Sequence, residues 1–164
     1  MIGKHQYSNM ALSITALLEA GFTLEEQKVR KAVGNASLLG RMERVSDNVY
    51  MDGAHNIASV EALVETIKTR FPDQPIRFIV GMLKDKDYVS MIRKLEEVAE
   101  SFEFIEFKHE RALAPEVLYK HCLHSKKVIT KDIDEIDLKN TKKNSVTIVT
   151  GSLYLISEIR KINR

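Results

Sequence analysis

The chain has 164 residues, of which 44% are hydrophobic and 29% charged, a composition that predicts one globular domain with room for a small appendage and excludes disordered and collagen-like proteins. Its 25 lysines and arginines against 23 acids leave a net charge of +2, which gives no electrostatic reason to expect nucleic acid or an anionic membrane as a partner. The single cysteine, Cys122, rules out an internal disulfide, and no apolar run approaches the roughly 18 residues of a membrane span, which favours a cytoplasmic protein.

The N-terminal part of the chain predicts a pair of helices. Apolar residues recur at helical spacing from Met10 to Leu18, and Gly21 follows as a stop signal. A second helix is predicted over 23–33, with Thr23 as its cap and two glutamates in the first turn, where the helix dipole favours acids.

From Val45 onward the pattern changes, because short apolar strands alternate with amphipathic helices. Alternating strands and helices predict an α/β fold with a Rossmann-like, mainly parallel sheet and helices on both faces. Within this region, segment 102–107 alternates apolar and acidic residues, which predicts a half-exposed strand. The other predicted strands are 49–51, 76–82, 128–129 and 146–149, and the predicted helices are 60–71, 89–98, 115–123 and 153–159.

Three loops of this predicted sheet deserve a functional interpretation, because such sheets bind ligands at the carboxyl ends of their strands. The first loop, 52–56, packs an acid and a histidine into five residues. Asp52 could accept hydrogen bonds from sugar hydroxyls, and His55 could meet a phosphate or an incoming nucleophile. The alternative is structural: Asn56 acts only as a helix cap and Gly53 only as a turn residue.

The other two loops carry weaker signals. Loop 81–87 contains Asp85 and Lys86, and it is either a second functional loop or a polar turn with Asp87 as a helix cap. Loop 150–152 places backbone N–H groups and a hydroxyl at a helix N-terminus, where a carboxylate or a phosphate could bind. Arg41 is a candidate functional residue only because of its position, at the junction between the helical pair and the sheet.

Several common motifs are missing from the chain. No two glycines are spaced as in the dinucleotide fingerprint, and no P-loop occurs, so the sheet by itself holds no triphosphate in the familiar ways. His121 and His124 lack a nearby third ligand, so we expect no metal site. Ser59 and Ser152 lack the sequence of a nucleophile elbow, which argues against a hydrolase.

Taken together, the motifs resemble the C-terminal part of folylpolyglutamate synthase, a family that also covers dihydrofolate synthase and lies within the ATP-dependent Mur ligase superfamily. Ile57 departs from the family, which usually has proline at this first helical position. The matching stretches span nearly the whole chain in the family's order and are HQYSNMA at 5–11, LGRME at 39–43, MDGAHN at 51–56, VGMLKDKD at 80–87 and VTGSLYL at 149–155.

The resemblance implies a three-step reaction. ATP phosphorylates a folate carboxylate, the amine of L-glutamate attacks the acyl phosphate, and the tetrahedral intermediate expels phosphate. In this family the P-loop, the Mg²⁺ ligands and most of the folate site lie in an N-terminal ATPase domain. Residues 1–38 would then be the helical tail of that domain with a linker, and residues 39–164 would be the Mur ligase C-terminal domain. We therefore expect the chain to be part of a longer, monomeric enzyme and to be inactive alone.

The resemblance also implies roles for single residues. Asn9 and Arg41 would contact the nucleotide, and Asp52 would hold nucleotide hydroxyls or order Arg41. His55 would be the catalytic residue, near the transferred phosphate or the incoming glutamate.

By the same resemblance, Gly151 and Ser152 would help to bind glutamate.

Two alternatives remain open at this point. The chain could belong to another Mur-type amino-acid ligase, although the Gly-Ser-Leu-Tyr sequence favours the folate branch. It could also be a stand-alone, non-catalytic module that binds a nucleotide or another ligand.

Overall fold

The computed structural model describes residues 4–36, 38–138 and 144–162. None of the helices in these ranges combines the length and the apolarity that crossing a membrane requires. In chain order the elements are α1 (Lys4–Glu19), α2 (Glu26–Asn35), β1 (Glu43–Ser46), β2 (Val49–Asp52), α3 (Ile57–Arg70), β3 (Ile76–Val80), α4 (Tyr88–Glu96), β4 (Ser101–Ile105), α5 (Pro115–His121), β5 (Lys127–Thr130), β6 (Val146–Thr150) and α6 (Leu153–Ile162), with a short 3₁₀ turn at Ile133–Glu135.

The strands form one six-stranded sheet in the order β1-β2-β6-β3-β4-β5. All neighbouring pairs are parallel except β1 and β2, which run antiparallel. The predicted Rossmann-like α/β fold is therefore confirmed. The edge strand β1 was not predicted, because its sequence Glu-Arg-Val-Ser is polar and three of its four residues are exposed, so it carries no apolar alternation.

Helices cover both faces of the sheet, as predicted. On one face Phe78 of β3 and Phe102 of β4 stack with ring centroids 5.6 Å apart beneath α3, α4 and α5. On the other face Ile79 packs in a second cluster with Leu155 and Ile156 of α6. Each such buried side chain contributes about 1.5–3 kcal/mol relative to an exposed one, so the sheet region carries a core of its own.

Cys122 belongs to this core. It follows α5, is buried, and packs in the cluster beneath α3, α4 and α5. Burial raises the pKa of its thiol to about 11, so very little thiolate forms at neutral pH. The residue is a packing group rather than a reactive thiol.

Strand β4 corrects the expectation of a half-exposed segment. Glu103, an acid at a supposedly solvent-facing position, is only 7% exposed. Its carboxylate pairs with the guanidinium of Arg77 on β3 and accepts a hydrogen bond of 2.6 Å from the Thr130 hydroxyl on β5. Because both partners come from neighbouring strands, the alternation of apolar and acidic residues could not reveal that this charge is satisfied inside the protein.

Helix starts agree with the sequence where a capping side chain is present. Asn56 caps α3 through a reciprocal pair of bonds with Ser59, and Asp87 caps α4 by accepting from the Ser90 N–H at 3.2 Å. The prediction that Thr23 caps the second helix is wrong. Helix α2 begins three residues later, and Glu25 occupies its N-cap position without a side-chain capping bond, because its carboxylate accepts from the Lys28 ammonium instead.

Several predicted elements end earlier in the structure. The strand predicted over 76–82 ends at Val80, after which the chain turns into a loop. The helix predicted over 115–123 ends at His121.

The N-terminal helical pair is confirmed, but it buries little. Helix α1 touches α3, whereas α2 has no buried residue. Tyr7, Leu12, Leu18 and Phe22 each expose more than half of their surface.

Replacing Arg77 by Met is expected to lower the free energy of unfolding by about 2–3 kcal/mol, because the buried Glu103 carboxylate would lose its charged partner. Urea denaturation measures the change. The matched control is Lys126→Met, which removes the partner of Glu100 from an ion pair with both side chains at least half exposed and should cost less than about 1 kcal/mol. Equal, small losses in both variants would show that Glu103 does not depend on Arg77.

Candidate functional site

The three loops singled out from the sequence meet at one edge of the sheet. Strand β6 lies between β2 and β3, and Asp52, Thr150 and Val80 stand side by side in register at the carboxyl ends of these strands. The Gly81 N–H donates to the Thr150 carbonyl at 3.3 Å, which joins two of the loops directly. The order of the strands therefore converts loops that are distant in sequence into one surface.

Glycines allow the loops to approach within backbone contact. Gly151 has φ +102°, and a Cβ atom there would lie 2.6 Å from the Gly81 carbonyl oxygen. The Gly53 N–H donates to the Gly40 carbonyl at 2.7 Å, and a Cβ on Gly53 would lie 2.3 Å from Leu153 Cδ2. Gly53 and Gly151 belong to no nucleotide-binding motif, but they lie where the loops are in contact, because no side chain would fit there.

Asp52 connects the loop after β2 with the segment before β1. Its side chain is buried, and the residue is only 7% exposed. One carboxylate oxygen accepts from the Met42 N–H at 2.8 Å, and the other accepts from the Ala54 N–H at 3.0 Å. Two buried backbone donors, separated by strands β1 and β2, therefore share one carboxylate.

The Arg41 loop, residues 40–42, has an unusual backbone. Gly40 has φ +67° and Met42 has φ +42°, a left-handed value that costs energy for a side chain such as methionine. The Met42 side chain is buried in the core, so the loop is anchored at this end by packing as well as by Asp52. The half-buried Arg41 guanidinium makes no hydrogen bond or ion pair with any residue that the structure describes.

The His55 ring is fixed by its own turn. Nδ1 lies 2.7 Å from the Gly53 carbonyl oxygen, and because a carbonyl can only accept, Nδ1 carries the proton. The backbone N–H of His55 donates to the Ser59 hydroxyl at 3.1 Å, in the turn that opens α3. This tautomer leaves Nε2 as the ring atom that can accept a proton, or donate one when the ring is charged.

Ser152 and Thr150 flank Gly151 with buried hydroxyls. Ser152 Oγ accepts from the Tyr154 N–H at 3.2 Å and so caps the start of α6, while its own proton can still be donated. Thr150 Oγ1 has no hydrogen-bond partner among the residues that the structure describes. Sequence reasoning gave Thr150 no role of its own, although an unsatisfied buried hydroxyl beside Asp52 is the kind of group that a ligand or a water completes.

Loop 81–87 follows the polar-turn interpretation at Asp87, which caps α4. The hydrogen bonds from Ser90 hold the pKa of this carboxyl below its usual range. Asp85 lies 3.1 Å from the Lys86 ammonium and 3.5 Å from the Arg111 guanidinium, and the Lys86 hydrogen bond lowers the pKa of Asp85. Asp85 and Lys86 of this loop therefore pair with each other, and Asp87 serves as a helix cap.

Asn9 lies apart from these loops in the hydrogen-bond network. It is exposed on α1, and its carbonyl accepts from the Ser13 hydroxyl within the same helix. Within the described ranges, no hydrogen bond joins Asn9 to the loops at the sheet edge. Its contact with a nucleotide stays a prediction.

No group of three or more His, Cys, Asp or Glu side chains in the described ranges could hold a metal ion. The two histidines near α5 pack instead against separate aromatic rings. His121 lies edge-on to Tyr88, and His124 lies edge-on to Phe102, each at 5.7 Å.

Gly151→Ala is expected to lower the free energy of unfolding by about 1–3 kcal/mol, because the residue has a left-handed backbone and its new methyl would meet the Gly81 carbonyl. Thermal denaturation measures the loss. The control is Gly34→Ala in α2, where a Cβ meets no atom within 4 Å, and this change should be neutral or stabilising by up to about 1 kcal/mol. If both variants were equally stable, the loops would not be in close backbone contact.

Comparison with known proteins identifies the wider group. Residues 40–153 match the family described as Mur ligase, glutamate ligase domain. Dihydrofolate synthase/folylpolyglutamate synthase of Bacillus subtilis is 39% identical over 170 residues, which cover 98% of this chain and 40% of that protein.

Solved structures agree with the sequence relatives. The crystal structure of folylpolyglutamate synthase from Thermotoga maritima matches 98% of this chain with a TM-score of 0.83 and 28% identity. FolC of Escherichia coli, solved in complex with ADP, matches 94% with a TM-score of 0.84 and 25% identity. The chain spans 39% and 38% of these two proteins, about two fifths of their length. The match over 40–153, the relatives and the shared fold all agree with the resemblance read from the motifs, and the chain belongs to the Mur ligase family through its glutamate ligase domain.

Proposed function

We propose that this chain is the C-terminal part of an ATP-dependent ligase that adds L-glutamate to a folate through an acyl phosphate. The observation that carries the proposal is the single sheet edge where the Arg41 loop, His55 and the Gly151–Ser152 turn come together. The names of the relatives support the substrate class, since they are folylpolyglutamate and dihydrofolate synthases. The enzyme would work as a cytoplasmic monomer.

Arg41 is the residue proposed to meet the nucleotide. Its guanidinium has no partner among the described residues, and it sits on a loop whose backbone is held by Asp52. A charge-assisted hydrogen bond from such a group to a phosphate is worth about 1.5–3 kcal/mol. Of the two roles considered for Asp52, ordering Arg41 is the better supported, because both carboxylate oxygens already accept backbone N–H groups. The ADP complex of the Escherichia coli relative supports a nucleotide as ligand.

His55 is the proposed catalytic residue. With its Nδ1 proton on the Gly53 carbonyl, the ring is fixed in orientation and only Nε2 remains for a ligand. A nearby phosphate would favour the imidazolium, and Nε2–H would then donate to charge that develops on the transferred group.

The Gly151–Ser152 turn is proposed to bind a carboxylate of L-glutamate. Backbone N–H groups at the start of the ten-residue helix α6 and the Ser152 hydroxyl provide the donors that a carboxylate needs. The positive end of the helix dipole favours the same charge.

The rest of the enzyme would supply the groups for phosphoryl transfer from ATP to the carboxylate and most of the folate site. We propose that residues 1–38 belong structurally to an ATPase domain, because α1 and Phe22 after it expose large apolar side chains while the described part of residues 39–164 has its own core. Mg²⁺ ligands are also assigned to that domain. Bringing the two domains together over the nucleotide would exclude water from the acyl phosphate.

The proposal predicts that the ligase containing this chain releases ADP only when L-glutamate and a folate are both present. The purified 164-residue chain alone should show no such turnover, because it has no P-loop. A coupled ADP assay measures both. Turnover with a different amino acid or acceptor would identify another Mur-type ligase, and nucleotide binding without any turnover would identify a non-catalytic module.

His55→Gln and His55→Ala should each lower turnover by about 10²-fold or more, because neither side chain can carry the proton or charge of the ring. Steady-state rates at saturating ATP and glutamate measure the loss. The melting temperature should stay within a few degrees, and His124→Gln, which alters a ring packed on Phe102, should keep normal turnover. Near-normal turnover of His55→Gln would show that the ring is a turn residue.

A further inference from the structure

The Glu43 carboxylate joins two distant parts of the chain beside Arg41. One oxygen, Oε2, accepts from the Gly40 N–H at 2.7 Å and also pairs with the guanidinium of Arg160. Arg160 lies in the last turn of α6, 117 residues away in sequence. Both side chains are largely shielded, with 18% exposure for Glu43 and 27% for Arg160. Such a charge-assisted contact is held more firmly than an exposed ion pair.

This contact completes the fixing of the Arg41 loop. Asp52 accepts from the N–H of Met42, the residue after Arg41, and Glu43 accepts from the N–H of Gly40, the residue before it. The backbone between these two bonds has left-handed residues on either side of Arg41, a conformation that persists only where the surroundings enforce it. The Gly53 N–H bond to the Gly40 carbonyl and the buried Met42 side chain support the same conformation.

Helix α6 also packs directly on the loop. A Cβ on Gly40 would lie 3.1 Å from Leu153 Cδ2 and 3.7 Å from Ile156 Cδ1, both on α6. The same helix begins after the Gly151–Ser152 turn and carries Arg160 in its last turn. Because α6 contacts the Arg41 loop and begins after the Gly151–Ser152 turn, it connects the loop to the proposed glutamate turn as one rigid unit. The helix dipole also favours a cation such as Arg160 in the last turn.

We propose that Glu43 and Arg160 are positioning residues that fix the Arg41 loop so that its guanidinium meets a nucleotide phosphate. The inference rests on the proposed role of Arg41 toward the nucleotide. Neither residue contacts the ligand itself; each acts through the backbone that carries Arg41.

The first experiment tests the clamp in the 164-residue chain without any ligand. Hydrogen exchange of the Gly40 amide, followed by NMR, should become about tenfold faster in Arg160→Met, because the Glu43 carboxylate loses the cation that holds it in place. Arg160→Lys, which keeps the charge, should restore most of the protection. The matched control is Arg44→Met, which breaks the exposed ion pair with Asp47 next to Glu43 and should leave Gly40 unchanged. Unchanged exchange in Arg160→Met would overturn the clamp.

The second experiment tests whether the clamp acts through Arg41 in the ligase that contains this chain. Arg160→Met should raise KM for ATP about tenfold and change kcat by less than about threefold, since it removes binding that ground and transition states share. On an Arg41→Ala background it should raise KM no further, because residues that act through one another are not additive. Arg160→Lys should rescue, and Arg44→Met should match the wild type.

An equal rise in KM on both backgrounds would overturn the positioning role. Normal ATP kinetics in Arg41→Ala would instead refute the proposed nucleotide contact of Arg41, and the Gly40 amide would then still decide whether the clamp exists. The two failures are therefore separable.

Discussion

The site depends on one buried carboxylate. Asp52 accepts one backbone N–H from the Arg41 loop and one from its own turn, and this sharing holds the junction before β1 against the end of β2. Without it, two shielded donors would lose their acceptor, and each such loss costs about 1–3 kcal/mol. The left-handed backbone at Met42 can exist only because this bond and the buried side chain enforce it.

The parallel sheet brings the other groups to the same place. Because β6 is inserted between β2 and β3, loops that leave these strands end as neighbours. Gly151 and Gly81 then let two of the loops approach through backbone atoms, because a side chain at Gly151 would meet the Gly81 carbonyl.

The arrangement also explains why the helical pair looks incomplete while the sheet does not. The sheet is packed on both faces, and Glu43, Arg160 and α6 fix the Arg41 loop from within the same unit. Helix α1 and Phe22 after it leave large apolar side chains exposed. The chain matches about two fifths of the length of its relatives.

Local patterns in the sequence determined most of the secondary structure and the edge of the sheet at which the three loops meet. Apolar periodicity predicted the α/β order, and Asn56 and Asp87 capped helices where their positions indicated, because capping needs only neighbours a few residues away. The motifs around Asp52, His55 and Gly151 likewise identified the loops, since loops that leave parallel strands share one edge.

Tertiary structure alone decided how charges are satisfied. Glu103 finds partners on two other strands, and Glu43 finds Arg160 at the far end of the chain. Such contacts join residues with no fixed spacing, so no periodic pattern in the sequence can reveal them.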